Sequence, residues 1–201
     1  LWATIGAVAA TNITIEDITV DLATNGNTMN GIAFVPDALF TGTPCSNCVV
    51  QRCRVFGFVS HQYLYWSFSS QHIKFIDNFA DGGCTDFDPF GDQNGIEVVG
   101  GVDAIVRGNT VIRCANFGLG AISLDGFPSG VDGAILEGNY ISDCGTGVSL
   151  GTSLNVATPQ NMRNVTVSGN VIRGSVRYGI DVWTPAVGTS MRNVLVARNI
   201  I

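Results

Sequence analysis

A short apolar segment ending in a turn residue, most often Asn, returns about every 30 residues along this chain. The copies read ITIEDI, CVVQRCRV, IKFIDNFA, AIVRGNTV, AILEGNYI, VTVSGNVI and VLVARNII. Their equivalent turn positions are Asp17, Cys53, Asn78, Asn109, Asn139, Asn170 and Asn199, with successive spacings of 36, 25, 31, 30, 31 and 29 residues. A fixed period of this length restricts the chain to stacked supersecondary units, each burying its apolar face against the next. Asn at the turn has two physical uses. It tolerates left-handed backbone geometry, and its amide can bond the amides above and below as a ladder.

Each copy carries a second segment: NGIAFV, QYLYWSF, NGIEVV, GAISLD, TGVSLG and YGIDVW. Apolar residues alternate there as Ile32/Phe34, Leu64/Trp66, Ile96/Val98, Ile122/Leu124, Val148/Leu150 and Ile180/Val182. Alternation by two means strands with one buried and one exposed face. Composition agrees: one Lys (Lys74) and three Glu (Glu16, Glu97, Glu137) leave few strong helix formers. Gly, Asn, Val, Ile and Thr suit strands and tight turns. The repeat therefore predicts an all-β fold, a parallel β-helix of about seven coils occupying residues 1–201 as a single domain. Leu1 and the closing RNII read as cuts within a longer chain, so the expectation is a fragment.

The pattern resembles the right-handed parallel β-helix repeats of the pectin-lyase-like superfamily, and the resemblance runs over nearly the whole chain. That superfamily includes pectate lyases, polygalacturonases, alginate epimerases and phage tailspike depolymerases. The resemblance implies a polysaccharide partner bound in a groove flanked by loops, an extracellular or virion-surface location and, by analogy with tailspikes, a homotrimer. One scaffold hosts many chemistries, so chemistry has to be argued from residues. DFDP resembles the start of the Asp-Pro-His-Glu motif of alginate epimerases, but Phe90-Gly91 follow Asp88-Pro89. The polygalacturonase motifs and the Arg-rich pectate lyase signature are absent, so no catalytic set transfers residue by residue.

The outward column of the second strand is expected to read Ala33, Tyr65, Glu97, Ser123, Ser149 and Asp181. Candidate catalytic residues are Glu97, Asp88, Asp92, Tyr65 and His61; candidate substrate-binding residues are Tyr63, Trp66, Asp86, Asp181 and Trp183. Aromatic faces stack on sugar rings and carboxylates bond hydroxyls. Carboxylates on adjacent coils would lie about 5 Å apart, and those two coils apart about 9.6 Å. These separations span the retaining and inverting geometries of glycoside hydrolysis. A hydrolase would pair Glu97 with Asp86, Asp88 or Asp92; a lyase would use Tyr65 or His61 as base. Long inserts before these strands, Ala23–Asn30 and Asp81–Asn94, are expected to rise along the same edge.

Three readings compete for TDFDPFGDQNGIEV, residues 85–98: a calcium loop, an acid/base site, or a long polar turn. Asp86, Asp88, Gly91 and Glu97 match a helix–loop–helix calcium loop. Phe90 stands where an oxygen ligand belongs, and the flanks read as strands. No cofactor is required; Ca²⁺ through some of these oxygens is an optional ligand, and no metal site is assigned.

The six cysteines leave the compartment open. Cys114 and Cys144 each lie five residues after their Asn, with Cys84 near the same column, and are expected to stack as buried thiols. Cys45-x-x-Cys48 lacks the second pair that zinc needs. Arg107 with Glu137, and Arg113 with Asp143, are expected to form cross-coil ion pairs. A net charge of −6 and a 13% charged fraction argue against a nucleic-acid partner. No apolar run approaches the roughly 20 residues of a membrane span. Two functions remain: a polysaccharide-binding and polysaccharide-degrading β-helix, or a non-catalytic stalk or glycan-binding adhesin.

Overall fold

A computed structural model describes residues 3–22, 30–37, 42–57, 63–84, 93–123, 130–152, 161–183 and 189–201. These residues form a parallel β-solenoid whose strands lie on three faces. The first face stacks seven strands, Ile5–Val8, Asn30–Val35, Tyr63–Gln71, Asn94–Val102, Phe117–Ser123, Thr146–Thr152 and Tyr178–Trp183. The second also stacks seven, Thr14–Glu16, Val49–Gln51, Lys74–Ile76, Ile105–Arg107, Ile135–Glu137, Asn161–Ser168 and Ser190–Ala197. The third stacks six, Thr19–Asp21, Arg54–Phe56, Phe79–Asp81, Thr110–Ile112, Tyr140–Ser142 and Val171–Arg173. Val131–Asp132 bridges the first two faces into one 15-stranded sheet. All of these pairings are parallel.

The interior is built from columns of like residues. On the second face Ile15, Val50, Phe75, Val106, Leu136 and Val167 stack in register. On the third, Val20, Val55, Ala80, Val111, Ile141 and Ile172 do so. β-Branched residues suit this arrangement because their stiff side chains repeat without rearrangement on each coil. The predicted thiol stack is present: Cys114 and Cys144 are buried and free, and the Cys84 amide bonds the Arg113 carbonyl of the adjoining coil. Hydrogen bonding to Cys144, then burial, pushes the Cys114 thiol up.

The ladder forms as expected. Asn78, Asn109, Asn139 and Asn170 each donate their main-chain N–H to the side-chain Oδ1 of the next Asn, at 2.9, 2.9, 2.9 and 3.0 Å. Each Nδ2 bonds that same oxygen, and each also reaches a main-chain carbonyl. Two details differ from expectation. The left-handed residue is the one before the turn residue: Arg52 before Cys53, and Asp77, Gly108, Gly138, Gly169 and Arg198 before Asn, have φ between 52° and 67°. Asn itself keeps ordinary geometry because its amide must point inward along the stack. In the first copy Asp17 is the left-handed residue, so Ile18, not Asp17, faces Cys53.

Of the two predicted ion pairs, Arg107–Glu137 forms at 2.5 Å. Arg113 instead turns to Asp81 on the preceding coil, with Nε donating to Oδ1 at 2.9 Å. Asp143, on the following coil, reaches Arg113 only through charge.

Candidate functional site on the outer surface of the first face

Strand register decides which side chains point out of the first face. The inward column reads Ile5, Ile32, Tyr65, Ile96, Leu119, Val148 and Ile180. The outward column beside it reads Gly6, Ala33, Trp66, Glu97, Gly120, Ser149 and Asp181. Tyr65 therefore does not stand in the groove. It is 0% exposed, packs against Phe75, and its hydroxyl donates to the Phe79 carbonyl at 3.0 Å. Burial pushes its phenol far above the ordinary range, which removes it as a base. Trp66 takes the outward place, and Gly120 takes the place expected for Ser123.

The reason for the slip is local. Leu64, Tyr65 and Trp66 are all apolar, so alternation alone does not choose between the two faces. A glycine column resolves it. Gly31, Gly95, Gly118, Gly147 and Gly179 occupy equivalent positions, and Leu64 stands in that column on its own coil. A Cβ on Gly95 would come within 2.3 Å of Val111 Cγ1 and 2.4 Å of the Gly118 carbonyl oxygen.

Outside the sheet lies a second apolar cluster, separate from the core: Ala33, Trp66, Phe68 and Val99, with Tyr63 against it. The Tyr63 and Trp66 rings are stacked, with centroids 5.1 Å apart and planes 7° from parallel. Phe68 approaches Trp66 at 4.8 Å. Glu97 is the in-register neighbour of Trp66, one strand spacing away, and is only 4% exposed. Asn94 Nδ2 donates to Glu97 Oε2 at 3.2 Å. Two polar atoms in this neighbourhood, Trp66 Nε1 and Asn94 Oδ1, are buried without a hydrogen-bond partner. Such atoms cost free energy and call for an explanation. The sequence reading overlooked Asn94; the doublet Asn94-Gly95, matching Asn30-Gly31, is the signal that places it.

At the far end of the column, four strand spacings or roughly 19 Å from Trp66, stand Asp181 and Trp183, both half-buried. Trp183 Nε1 donates to Ser149 Oγ at 3.1 Å. Its ring lies flat over Gly151, where a Cβ would meet the indole at 2.1 Å. The row between the two indoles carries a carboxylate and a hydroxyl, while Gly120 and Gly151 make room for the Phe117 and Trp183 rings, which lie where their Cβ atoms would be.

His61, Asp86, Asp88 and Asp92 lie outside the described residues, as does most of the acidic stretch. Its continuation is anchored: Gln93 is buried and donates to the carbonyls of Gly82 and Gly57 at 3.0 and 3.3 Å. Among the described residues no three His, Cys, Asp or Glu side chains gather as a metal site. No helix among them is long and apolar enough to cross a membrane.

Comparison with known proteins agrees with this architecture. Among solved structures, the chain is similar to a double mutant of the tailspike protein of E. coli bacteriophage HK620 in complex with a pentasaccharide. The TM-score is 0.61 at 17% identity, covering 96% of this chain and 34% of that one. Another mutant of the same tailspike, in complex with a hexasaccharide, gives a TM-score of 0.59 at 17% identity, covering 95% and 32%. The chain spans about a third of the length of these tailspikes. At this identity the likeness speaks for the fold alone. No curated protein matches the chain in sequence. The family model described as "Right handed beta helix region" matches residues 11–196. With its stacked parallel strands and continuous Asn ladder, the chain belongs to the right-handed β-helix family.

Proposed function

We propose that this chain is the polysaccharide-binding and polysaccharide-degrading β-helix of a tailspike-like protein carried on a virion surface. The observation that carries the reading is the outward row Trp66, Glu97, Ser149 and Asp181, flanked by Tyr63 and Trp183. Aromatic faces and carboxylates in line are the chemistry of sugar recognition. The unpartnered Trp66 Nε1 and Asn94 Oδ1 are then a donor and an acceptor held for hydroxyls. Glu97 is the proposed acid/base, with Asp88 or Asp92 as the second carboxylate, Asp86 and Asp181 as hydroxyl ligands, and His61 as the base should the reaction be an elimination. Ca²⁺ is an optional ligand of the acidic stretch. A homotrimer is proposed by analogy with tailspikes; a light-scattering mass of a single chain would remove it.

The burial of Glu97 favours a second reading, in which the row binds glycan without cleaving it, as in an adhesin or stalk. One experiment separates the two. The full-length parent protein is incubated with acidic and neutral polysaccharides, with calcium or chelator, and reducing ends and ultraviolet absorbance are read together. Reducing ends alone, lost in Glu97→Gln, support hydrolysis at Glu97. Absorbance with reducing ends supports elimination. Saturable glycan binding with neither signal supports the adhesin.

A further inference from the structure

Where the first face bends into the second, the outward position runs Gln71, Val102, Asp132, Arg163 and Arg192 from coil to coil. Three other cross-coil arginines meet an acid: Arg52 meets Glu16 and Asp17, Arg107 meets Glu137, and Arg113 meets Asp81. Here one acid faces two arginines. Asp132 accepts from Arg163 Nε at 2.8 Å and from Asn164 Nδ2 at 2.8 Å, one bond on each oxygen. Arg192 stands in register with Arg163, one strand spacing away, and no hydrogen bond or ion pair among the described residues engages its guanidinium. Like charges directly opposite on neighbouring strands repel, so the pair leaves one positive charge in excess on an otherwise acidic protein.

This pair lines a cleft of about 430 Å³, together with Asp132, Asn161, Ser190 and the buried Met162. The volume falls within the range of small-ligand pockets. Ser190 Oγ and Asn161 Oδ1 are hydrogen-bonded at 2.6 Å. That bond uses the amide oxygen and turns the Asn161 Nδ2 donors away from Ser190. The cleft thus presents the guanidinium of Arg192, the part of the Arg163 guanidinium that its Nε bond to Asp132 leaves free, and the neutral amide of Asn161.

We propose that this cleft binds an oxyanion borne on a saccharide, a uronate carboxylate or a phosphate ester, gripped by Arg192 and Arg163 with Asn161 as a further donor. Guanidinium forks match both groups with paired bonds. The cleft belongs to the coils that carry Ser149, Asp181 and Trp183, so a glycan crossing the first face would reach it at that end. That a saccharide carries the anion rests on the function proposed above; the oxyanion chemistry does not.

The test is calorimetric titration of the full-length parent protein at ionic strength fixed with sodium chloride. The probes are sodium phosphate, a galacturonate trisaccharide and a neutral trisaccharide. Wild-type protein should bind at least one of the two anions saturably. Arg192→Gln should weaken that binding about tenfold, and Arg192→Lys less, because an ammonium lacks the fork. Binding of only the uronide assigns a carboxylate, and binding of only phosphate assigns an ester. Either result upholds the site. Absence of saturable binding for both anions, or equal affinity in Arg192→Gln, overturns it. Glycan binding lost in Trp66→Ala while phosphate binding stays would report on the first-face reading alone, so the two proposals fail separately.

Discussion

The Asn corner and the outer surface of the first face are columns on the same coils, built on opposite principles. At the corner the residue is the same from Asn78 to Asn199, and each amide of the stack bonds the next. On the outer face the column changes at every step, from Ala33 to Trp66, Glu97, Gly120, Ser149 and Asp181. Buried polar atoms without partners lie in it at Trp66 and beside it at Asn94. A repeated residue serves stacking, because identical groups satisfy one another at every rise. A varied column cannot do that, and polar groups buried in or beside it are left without partners inside the protein.

The contrast can be broken most sharply at the corner. Asn109→Ala orphans the Asn78 N–H and the Phe75 carbonyl, which Asn109 now bonds at 2.9 Å each. The expected loss is about 3–5 kcal/mol, since each buried orphan costs roughly 1–3 kcal/mol. Denaturant melts would show it, and a loss below about 1 kcal/mol would mean that the ladder is ornamental.

On the outer face, Trp66→Ala should cost about 3 kcal/mol for the emptied ring site. Trp66→Phe sharpens the point. It deletes an N–H that has no partner, so stability should change by less than about 1 kcal/mol. Glycan affinity should still fall. A large stability loss in the phenylalanine variant, with glycan affinity intact, would make Trp66 a packing residue only.

Tyr65 tests the inner side of the same strand. Its folded pKa is raised by burial, so the chain keeps its proton while the unfolded phenol ionises. Its contribution is complete below about pH 10 and is lost above that, at roughly 1.4 kcal/mol per pH unit. Tyr65→Phe should flatten the alkaline limb of a stability–pH curve and cost about 1 kcal/mol at neutral pH for the bond to Phe79. An unchanged alkaline limb would put Tyr65 back in solvent. The smallest effect belongs to the surface pair: Arg107→Ala should change stability by under about 1 kcal/mol in thermal melts, less still in high salt.

Much of this was legible in the residues. The 30-residue period located the ladder at Asn78, Asn109, Asn139, Asn170 and Asn199, and the thiol stack at Cys114 and Cys144. Glu97 and Asp181 were placed on the outer face because their neighbours Ile96/Val98 and Ile180/Val182 alternate cleanly. Tyr65 was misplaced because three apolar residues in a row carry no alternation. Arg113 was paired in the wrong direction because spacing names both neighbouring coils as reachable without choosing between them.

Sequence by itself determined that the chain stacks, and where each coil begins. Periodicity is a property of the order of residues, and a buried Asn returning about every 30 positions finds its own copy within hydrogen-bond reach on the next coil. Tertiary structure alone decided that Trp66 and not Tyr65 stands beside Glu97. It also placed Arg192 opposite Arg163, with the carboxylate of Asp132 on the far side of Arg163. Those facts depend on register between strands some 30 residues apart. Register follows from which side chains fill the shared interior and where a glycine must admit the next coil's carbonyl.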